Sequence, residues 1–429
     1  MKKIITSFLF AFAMIVSMIA PVSAQVDQSK LYSKYAYVYD VTSHQTLMNM
    51  NGNARIYPAS MTKMMTVFTA IRLINNLDAK VTIKNDDIKD QYALDASSAN
   101  LVKGQKVTYL DLLYGAMYPS GADACWALAR TLSGNEANFV KEMNADAKRL
   151  GMTHTHFNTS TGLPDKTHYT TCEDIAKLME KAYQNATWRK VFTAGDHSYY
   201  KPKGGNQIWM STLTRMRVRL KTPSYSAILG AKSGFTKDAM YCLGSLSMVH
   251  GHLVATVTGK ADPTKQKKLT LACALEDHNR IVKDIDDNYK SVTLYQVGQV
   301  VKTFKIHMGE LEHYTYRMGE TYKILVDKNF DESTLKTTFT GASTLEAPVK
   351  KGTKLGTLKV TTNGTKLAEV TIYSGIDIVK SKQKTYIYYG IRIACVVSVI
   401  WVLWRMIHRH RLKKKYKKRK AMKAKREKK

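Results

Sequence analysis

Apolar and polar positions alternate with period two over residues 35–39. The pattern repeats over 46–50 across a short polar turn, which predicts a β-hairpin. From Pro58 the period lengthens. Met64, Met65, Phe68 and Ile71 recur at helical spacing through residue 73, and the proline just before the first turn is a start signal. Helical spacing returns over 109–117, which leads into the turn Pro119-Ser120-Gly121, and again over 123–132 and 136–150. Three successive strand-like runs follow at 226–233, 241–249 and 252–257, and helical spacing resumes over 264–286. A hairpin, central helices and a late set of strands closed by a helix predict one sheet with helices packed on it.

Beyond residue 289 the text changes. Short alternating runs at 292–295, 300–306, 322–326, 355–361 and 367–373 are separated by Gly, Asn and Asp, which predicts a small all-β domain. That domain holds no constellation of catalytic residue types and reads as a spacer or docking module. Two apolar segments stand outside both bodies. Residues 4–19 follow Lys2 and Lys3 and precede Pro21-Val22-Ser23-Ala24, which reads as a secretory signal cut after Ala24; an N-terminal anchor is the alternative, and the short run speaks against it. Residues 386–404 are apolar except for Arg392, with Tyr386, Tyr388 and Tyr389 at one end and Trp401 and Trp404 at the other. The apolar positions surround this helix instead of forming a stripe, so a membrane span is expected over a helix lying in the membrane surface. The expected division is therefore a signal over 1–24, a first domain over 25–288, a β-rich domain over 289–380, a span over 386–404 and a basic tail over 405–429.

Charge gives this layout a direction. The chain carries a net +32 over 429 residues, and residues 405–429 hold fifteen Lys/Arg against one Glu. A basic flank marks the cytoplasmic side, so the tail is expected in the cytoplasm and the bodies before the single span outside it. Span and tail together need no nucleic-acid partner. The exported portion is also basic, which favours encounter with anionic lipid or cell-wall polymers. Among five cysteines, Cys395 falls in the span, while Cys125, Cys172, Cys242 and Cys273 are exported. No Cys/His spacing suggests a metal site, and no cofactor motif is present. Because Cys125 and Cys242 fall in core-like segments, free buried thiols are expected over disulfides.

Three motifs carry the chemistry: Ser60-Met61-Thr62-Lys63, Ser120-Gly121-Ala122 and Lys232-Ser233-Gly234. Ser-x-x-Lys sets a hydroxyl and an amine on one helical turn, close enough to share a proton. The second motif adds a hydroxyl, and the third adds a cation beside a backbone that permits close approach. In this order they can form a nucleophile, a base, a proton relay and an anion-binding strand.

The chain resembles the low-molecular-mass penicillin-binding proteins, the serine-type D-alanyl-D-alanine carboxypeptidases. Residues 58–66, Pro-Ala-Ser-Met-Thr-Lys-Met-Met-Thr, look like the family's nucleophile helix. Residues 230–236, Gly-Ala-Lys-Ser-Gly-Phe-Thr, look like its Gly-x-Lys-Thr-Gly-x-Thr strand, and Gly162-Leu163 with His168-Tyr169-Thr170-Thr171 resembles a further family stretch. The resemblance implies an α+β, β-lactamase-like transpeptidase fold, an antiparallel sheet with packed helices and a helical cluster, followed by the small all-β domain and a C-terminal transmembrane helix. It implies attack by Ser60 on the bond between the last two D-Ala residues of a peptidoglycan stem peptide, with Lys63 as base and Ser120 as relay. Backbone N–H groups of Ser60 and Phe235 would hold the oxyanion. Lys232, Ser233, Gly234 and Thr236 would bind substrate, with Lys232 and Thr236 on its terminal carboxylate, and β-lactams would acylate Ser60. No metal and no cofactor are implied.

One departure stands out: the family's second motif is usually Ser-x-Asn, and here the third position is Ala122. A working enzyme remains the expected reading. A binder without turnover and a transpeptidase are alternatives. So is a β-lactamase, although residues 151–171 hold no Glu for deacylation. Ser120 reads also as a helix cap, His168 as a structural hydrogen-bonder, and Lys265, Lys267 and Lys268 as a solvated face or a further carboxylate contact.

Overall fold

The computed structural model describes residues 27–91, 94–265 and 272–426. The expected signal, together with Lys267 and Lys268, lies outside the described residues. In chain order the elements are β1 (Tyr35–Asp40), β2 (Gln45–Met50), α1 (Lys63–Leu73), β3 (Lys80–Thr82), β4 (Lys106–Thr108), α2 (Tyr109–Met117), α3 (Ala122–Ser133), α4 (Glu136–Arg149), α5 (Cys172–Tyr183), α6 (Ala186–Phe192), β5 (Tyr199–Tyr200), β6 (Trp209–Met210), α7 (Thr212–Leu220), β7 (Ile228–Thr236), β8 (Met240–Val249), β9 (His252–Ala261) and α8 (Ala272–Asn288). The sequence pattern placed β1, β2, α1–α4 and β7–β9 within a few residues, and it missed α5, α6 and α7.

The main sheet has the order β2-β1-β9-β8-β7, antiparallel at each of its junctions. Period-two alternation makes it a partition. Tyr37, Leu253, Ala255 and Val257 face a core built with α1–α6, while Ala36, Val38 and Val254 face a second core with α7 and α8. The result is helices on both faces of one sheet. Local chemistry starts the helices where they start. Thr108 and Asp111 cap each other's backbone N–H groups at α2, and Thr171 Oγ1 accepts from Asp174 N at α5 (3.0 Å). Helix α8 is pinned by buried His278, whose ring nitrogens meet Ser245 Oγ (2.6 Å) and Thr258 Oγ1 (3.0 Å).

From residue 289 the chain is strand-rich, as its alternation predicted: β10 (Tyr289–Tyr295), β11 (Val300–His307), β12 (His313–Arg317), β13 (Tyr322–Asp327), β14 (Leu335–Gly341), β15 (Thr344–Glu346), β16 (Lys354–Thr362) and β17 (Thr365–Tyr373). The chain forms two compact units. One comprises residues up to 296 with 321–338 and 359–370; the other comprises 297–320, 339–358 and the residues from 371. In the first, β10 pairs with β13; in the second, β11 pairs antiparallel with β12 and parallel with β15. The final element is one 45-residue helix, α9 (Lys382–Arg426). Its most apolar window has a mean hydropathy of 1.8, and length and composition make it a candidate membrane anchor.

Candidate active site

The site is assembled in the first unit around a turn that precedes α1. Residues Ala59–Thr62 form a single 3₁₀ turn that runs directly into α1. That turn lifts Ser60 beside Lys63, whose Nζ lies 2.8 Å from Ser60 Oγ and donates to the Thr161 carbonyl at 2.9 Å. Two glycines let other segments close on it. Gly162 sits at φ +81°, where a Cβ would overlap the Ala59 carbonyl oxygen. A Cβ on Gly234 would lie 2.7 Å from the Pro58 oxygen and 2.9 Å from the Ser60 nitrogen. The glycine of the Lys-Ser-Gly motif therefore lets β7 press against the backbone of the nucleophile turn. Because β7 ends the sheet order, its outer backbone edge is not used by another strand of that sheet.

The opposite wall comes from the α2–α3 junction. Ser120 holds φ +65°, a left-handed conformation that costs a non-glycine residue on the order of 1 kcal/mol or more and is concentrated at functional sites. Its Oγ accepts from Lys232 Nζ at 2.9 Å, and the same amine donates to the Ser233 carbonyl at 3.0 Å. The turn is fixed by Gly121 N–H to Gly115 O and by Ala122 N–H to Ser97 O. Buried Asp123 secures the neighbouring loop by accepting from Ala99 N (2.9 Å), Leu101 N (3.1 Å) and Ser98 Oγ (3.1 Å). Arg215 of α7 enters from the side, donating to the Tyr118 carbonyl (3.2 Å) and reaching Ser233 Oγ (3.5 Å). Among the described residues Arg215 makes no ion pair. Between the walls lies a cleft of about 800 Å3, lined by Ser60, Lys63, Ser120, Arg215, Ser233 and Thr236 among others.

Burial sets the electrostatics. Lys63 is buried, and desolvation holds its amine below the ordinary lysine range; the Arg215 charge adds to this and the Asp123 charge opposes it. Cys125 belongs to the same neighbourhood, but burial pushes its thiol up to about 12, so at neutral pH it is uncharged. Lys232 is pushed well down, first by burial and then by Lys63 and Arg215. Arg215 is itself lowered by burial and by Arg219. An uncharged amine bonded to a serine hydroxyl can take its proton, and an arginine without a carboxylate can take an anion.

The residues singled out from the sequence converge, with two differences of detail. Ser60, Lys63, Ser120, Ser233, Gly234, Phe235 and Thr236 line the cleft, whereas Lys232 is fully buried and reaches it through Ser120. The contacts form two Ser–Lys pairs, Ser60 with Lys63 and Ser120 with Lys232. Thr236 Oγ1 accepts from Ala239 N at 3.0 Å, and the exposed Phe235 ring leans on Tyr241. Ala122 presents a buried methyl where an amide was expected. His168 stands behind the nucleophile turn. Its Nδ1 accepts from Asn158 N (3.0 Å), so its Nε2 donates to Thr62 Oγ1 (2.8 Å), a structural role. Cys125, Cys172, Cys242 and Cys273 are unpaired and buried. Sequence reasoning missed Arg215 and Asp123. Asp123 had one available signal, a carboxylate in the first turn of a helix.

The comparisons with known proteins give the family and the fold. The profile of the D-alanyl-D-alanine carboxypeptidase family, peptidase S11, matches residues 22–262, and that of the penicillin-binding protein 5 C-terminal domain matches residues 289–380. The D-alanyl-D-alanine carboxypeptidase DacF of Bacillus subtilis is 28% identical over 360 residues, 83% of this chain and 88% of its own. The D-alanyl-D-alanine carboxypeptidase of Streptomyces sp. strain K15 is 36% identical over 206 residues, 46% of this chain and 70% of its own. Among solved structures, penicillin-binding protein 5 from Haemophilus influenzae shares the fold with a TM-score of 0.66 at 22% identity, covering 82% of this chain and 98% of that one. The Streptomyces K15 DD-transpeptidase gives 0.53 at 28% identity, covering 59% and 97%. With the first profile spanning more than half of its length, the chain belongs to the D-alanyl-D-alanine carboxypeptidase family.

Proposed function

We propose that this carboxypeptidase removes the terminal D-Ala from peptidoglycan stem peptides through an acyl-enzyme on Ser60. The observation that carries the reading is the buried, uncharged-leaning Lys63 amine 2.8 Å from Ser60 Oγ. Lys63 Nζ takes the Ser60 proton as Oγ bonds to the carbonyl carbon between the last two D-Ala residues. The oxyanion sits between the backbone N–H groups of Ser60 and Phe235, which the close packing of Gly234 brings into one neighbourhood. Ser120, hydrogen-bonded to Lys232, delivers a proton to the leaving amine and regains one from protonated Lys63, and free D-Ala departs. Water then adds to the ester carbonyl as it gives a proton to the neutral Lys63 amine, which passes that proton to the departing Ser60 Oγ. Arg215 and Ser233 face the terminal carboxylate, with Lys232 and Thr236 beside them. A β-lactam ring opens on Ser60 by the same steps. Among the described residues that line the cleft there is no glutamate, which supports a peptidase over a β-lactamase. Helix α9 anchors the chain in the cell membrane with the catalytic body outside and the basic tail in the cytoplasm, supported by the charge of residues 405–429.

The test uses the full chain in detergent and its Ser60→Ala form, following fluorescent-penicillin labelling and D-Ala released from diacetyl-L-Lys-D-Ala-D-Ala. Ser60-dependent labelling with release is expected. Folded protein showing neither would overturn the reading, and labelling without release would reduce the chain to an acylatable binder.

A further inference from the structure

Helix α9 starts at Lys382, just before the apolar run that opens at Tyr386, and no glycine or proline separates the two. In the same compact unit, the turn between β11 and β12 is bonded to the foot of this helix. Ser381 N donates to the Met308 carbonyl (2.8 Å), Lys384 Nζ donates to the Gly309 carbonyl (3.0 Å), and Lys380 bridges to Gly309. Glu310 N donates to the Val379 carbonyl at 3.0 Å, which sets Leu311 beside Val379. Both side chains face solvent, Leu311 being 45% and Val379 55% exposed, and Ile376 on the same segment is 41% exposed. Single exposed apolar residues are ordinary on a protein surface. These three differ by their place, around the foot of the apolar helix.

We propose that Leu311, Ile376 and Val379 form a rim that docks on the outer leaflet of the membrane, with Lys380, Lys382 and Lys384 at the level of the lipid phosphates. The inference rests on the reading of α9 as a membrane span, because that reading fixes the height of whatever is bonded to its first turn. A helix rises about 1.5 Å per residue, so Lys382 lies roughly 6 Å above the apolar run. The polar layer of a bilayer is about as deep, roughly 5–7 Å on each side of a hydrocarbon core of about 30 Å. The turn bonded to Ser381 and Lys384 is therefore held within that layer and not above it. Apolar side chains at that depth leave water for the acyl boundary, while ammonium groups on long stems stay with the phosphates. Residues 308–312 and 376–384 set Lys380, Lys382 and Lys384 against Glu310, Glu312 and Asp377. Charge is balanced there, so apolar contact carries the docking and it needs no anionic lipid. The second unit rides on the bilayer instead of swinging on a tether.

The experiment places the full chain in phosphatidylcholine vesicles with one nitrobenzoxadiazole label per molecule. Cys395 takes the label in the unsubstituted chain, and Leu311→Cys, Val379→Cys and Val300→Cys carry it in a Cys395→Ala background. Cys125, Cys172, Cys242 and Cys273 are buried and stay unlabelled. Val300 is the reference, because it is as exposed as Leu311 (45%) and opens β11, whose other end leads into the turn. Fluorescence is quenched from the water by iodide and from the bilayer by phosphatidylcholine spin-labelled on its acyl chain. Labels at 311 and 379 should be quenched by the spin-labelled lipid, and several-fold less by iodide than the label at 300. Labels at 311 and 379 as open to iodide as the one at 300, with Cys395 quenched by lipid, would overturn the rim and leave the anchor standing. Shielding from iodide without quenching by lipid would put protein on the rim and overturn it too. A Cys395 label that lipid does not quench would overturn the anchor and the rim with it.

Discussion

Lysine serves two opposite purposes in this molecule. Lys63 and Lys232 are almost wholly buried, and desolvation drives both towards the uncharged form. The lysines and arginines of α9 over residues 405–423 are exposed. The same side chain is stripped of water in one place and left exposed in the other. Only the cost of stripping water from an ammonium separates the two roles. In the first unit that cost is tolerated because each amine has hydrogen-bond partners: Ser60 and the Thr161 carbonyl for one, Ser120 and the Ser233 carbonyl for the other.

The largest effect should follow from removing the buried pair. Ser60→Ala or Lys63→Ala should lower penicillin acylation and D-Ala release by on the order of 10⁴-fold, read by label incorporation and by an amino-acid oxidase assay. Lys63→Arg should not rescue, because a guanidinium stays protonated.

Next comes a stability effect from another buried titratable group. Burial holds His168 at about 4, against about 6.5 in the unfolded chain. The unfolded state then binds the extra proton, so the contribution is present above about pH 6.5 and is lost as pH falls towards 4. The loss is about 3 kcal/mol. Denaturant midpoints between pH 7 and 4.5 should fall steeply in the unsubstituted chain and less in His168→Asn.

Arg215 sharpens the comparison from the side of the substrate. Arg215→Ala should reduce kcat/KM for a free-acid peptide by about 10²-fold, through the loss of a desolvated partner for the terminal carboxylate. The preference for that peptide over its C-terminal amide should shrink with it. At the far end of the scale, replacing the lysines of residues 413–420 by glutamine should change D-Ala release from a soluble peptide by less than about twofold, since solvated charges are screened within about 8 Å. A tenfold change there would break the contrast between buried and solvated lysines.

The sequence showed much of this, and the parts it hid have a physical pattern. Ser60 and Lys63 were legible because one helical turn places them together, and Lys232 to Thr236 because a strand keeps its order. Arg215 was not legible. It sits in Arg215-Met216-Arg217-Val218-Arg219, where nothing in the sequence sets one arginine apart from the others, and only packing brings one of them to the cleft. Asp123 read as an ordinary first-turn carboxylate, because its partners lie in the 98–101 loop, more than twenty residues earlier in the chain. Helix α6 went unmarked because it is a single short stretch of seven residues, whereas α5 was legible, since Ile175, Leu178, Met179 and Ala182 recur at helical spacing after Thr171. The change at Ala122 was visible at once, but its setting was not. The methyl lies in a turn held by Ser97, Gly115 and Asp123, so the turn keeps its shape without the amide.

The central claim is that Lys63 acts as an uncharged amine on Ser60. The direct measurement is the second-order rate constant for acylation of the full chain by a fluorescent penicillin across pH 5 to 10, with Lys63→Arg in parallel. The account predicts a rate that rises with pH through one ionisation below the ordinary lysine range and then levels, and that collapses across the whole range in Lys63→Arg. A rate that rises only near the ordinary lysine value of about 10.4, or one that persists in Lys63→Arg, would contradict it.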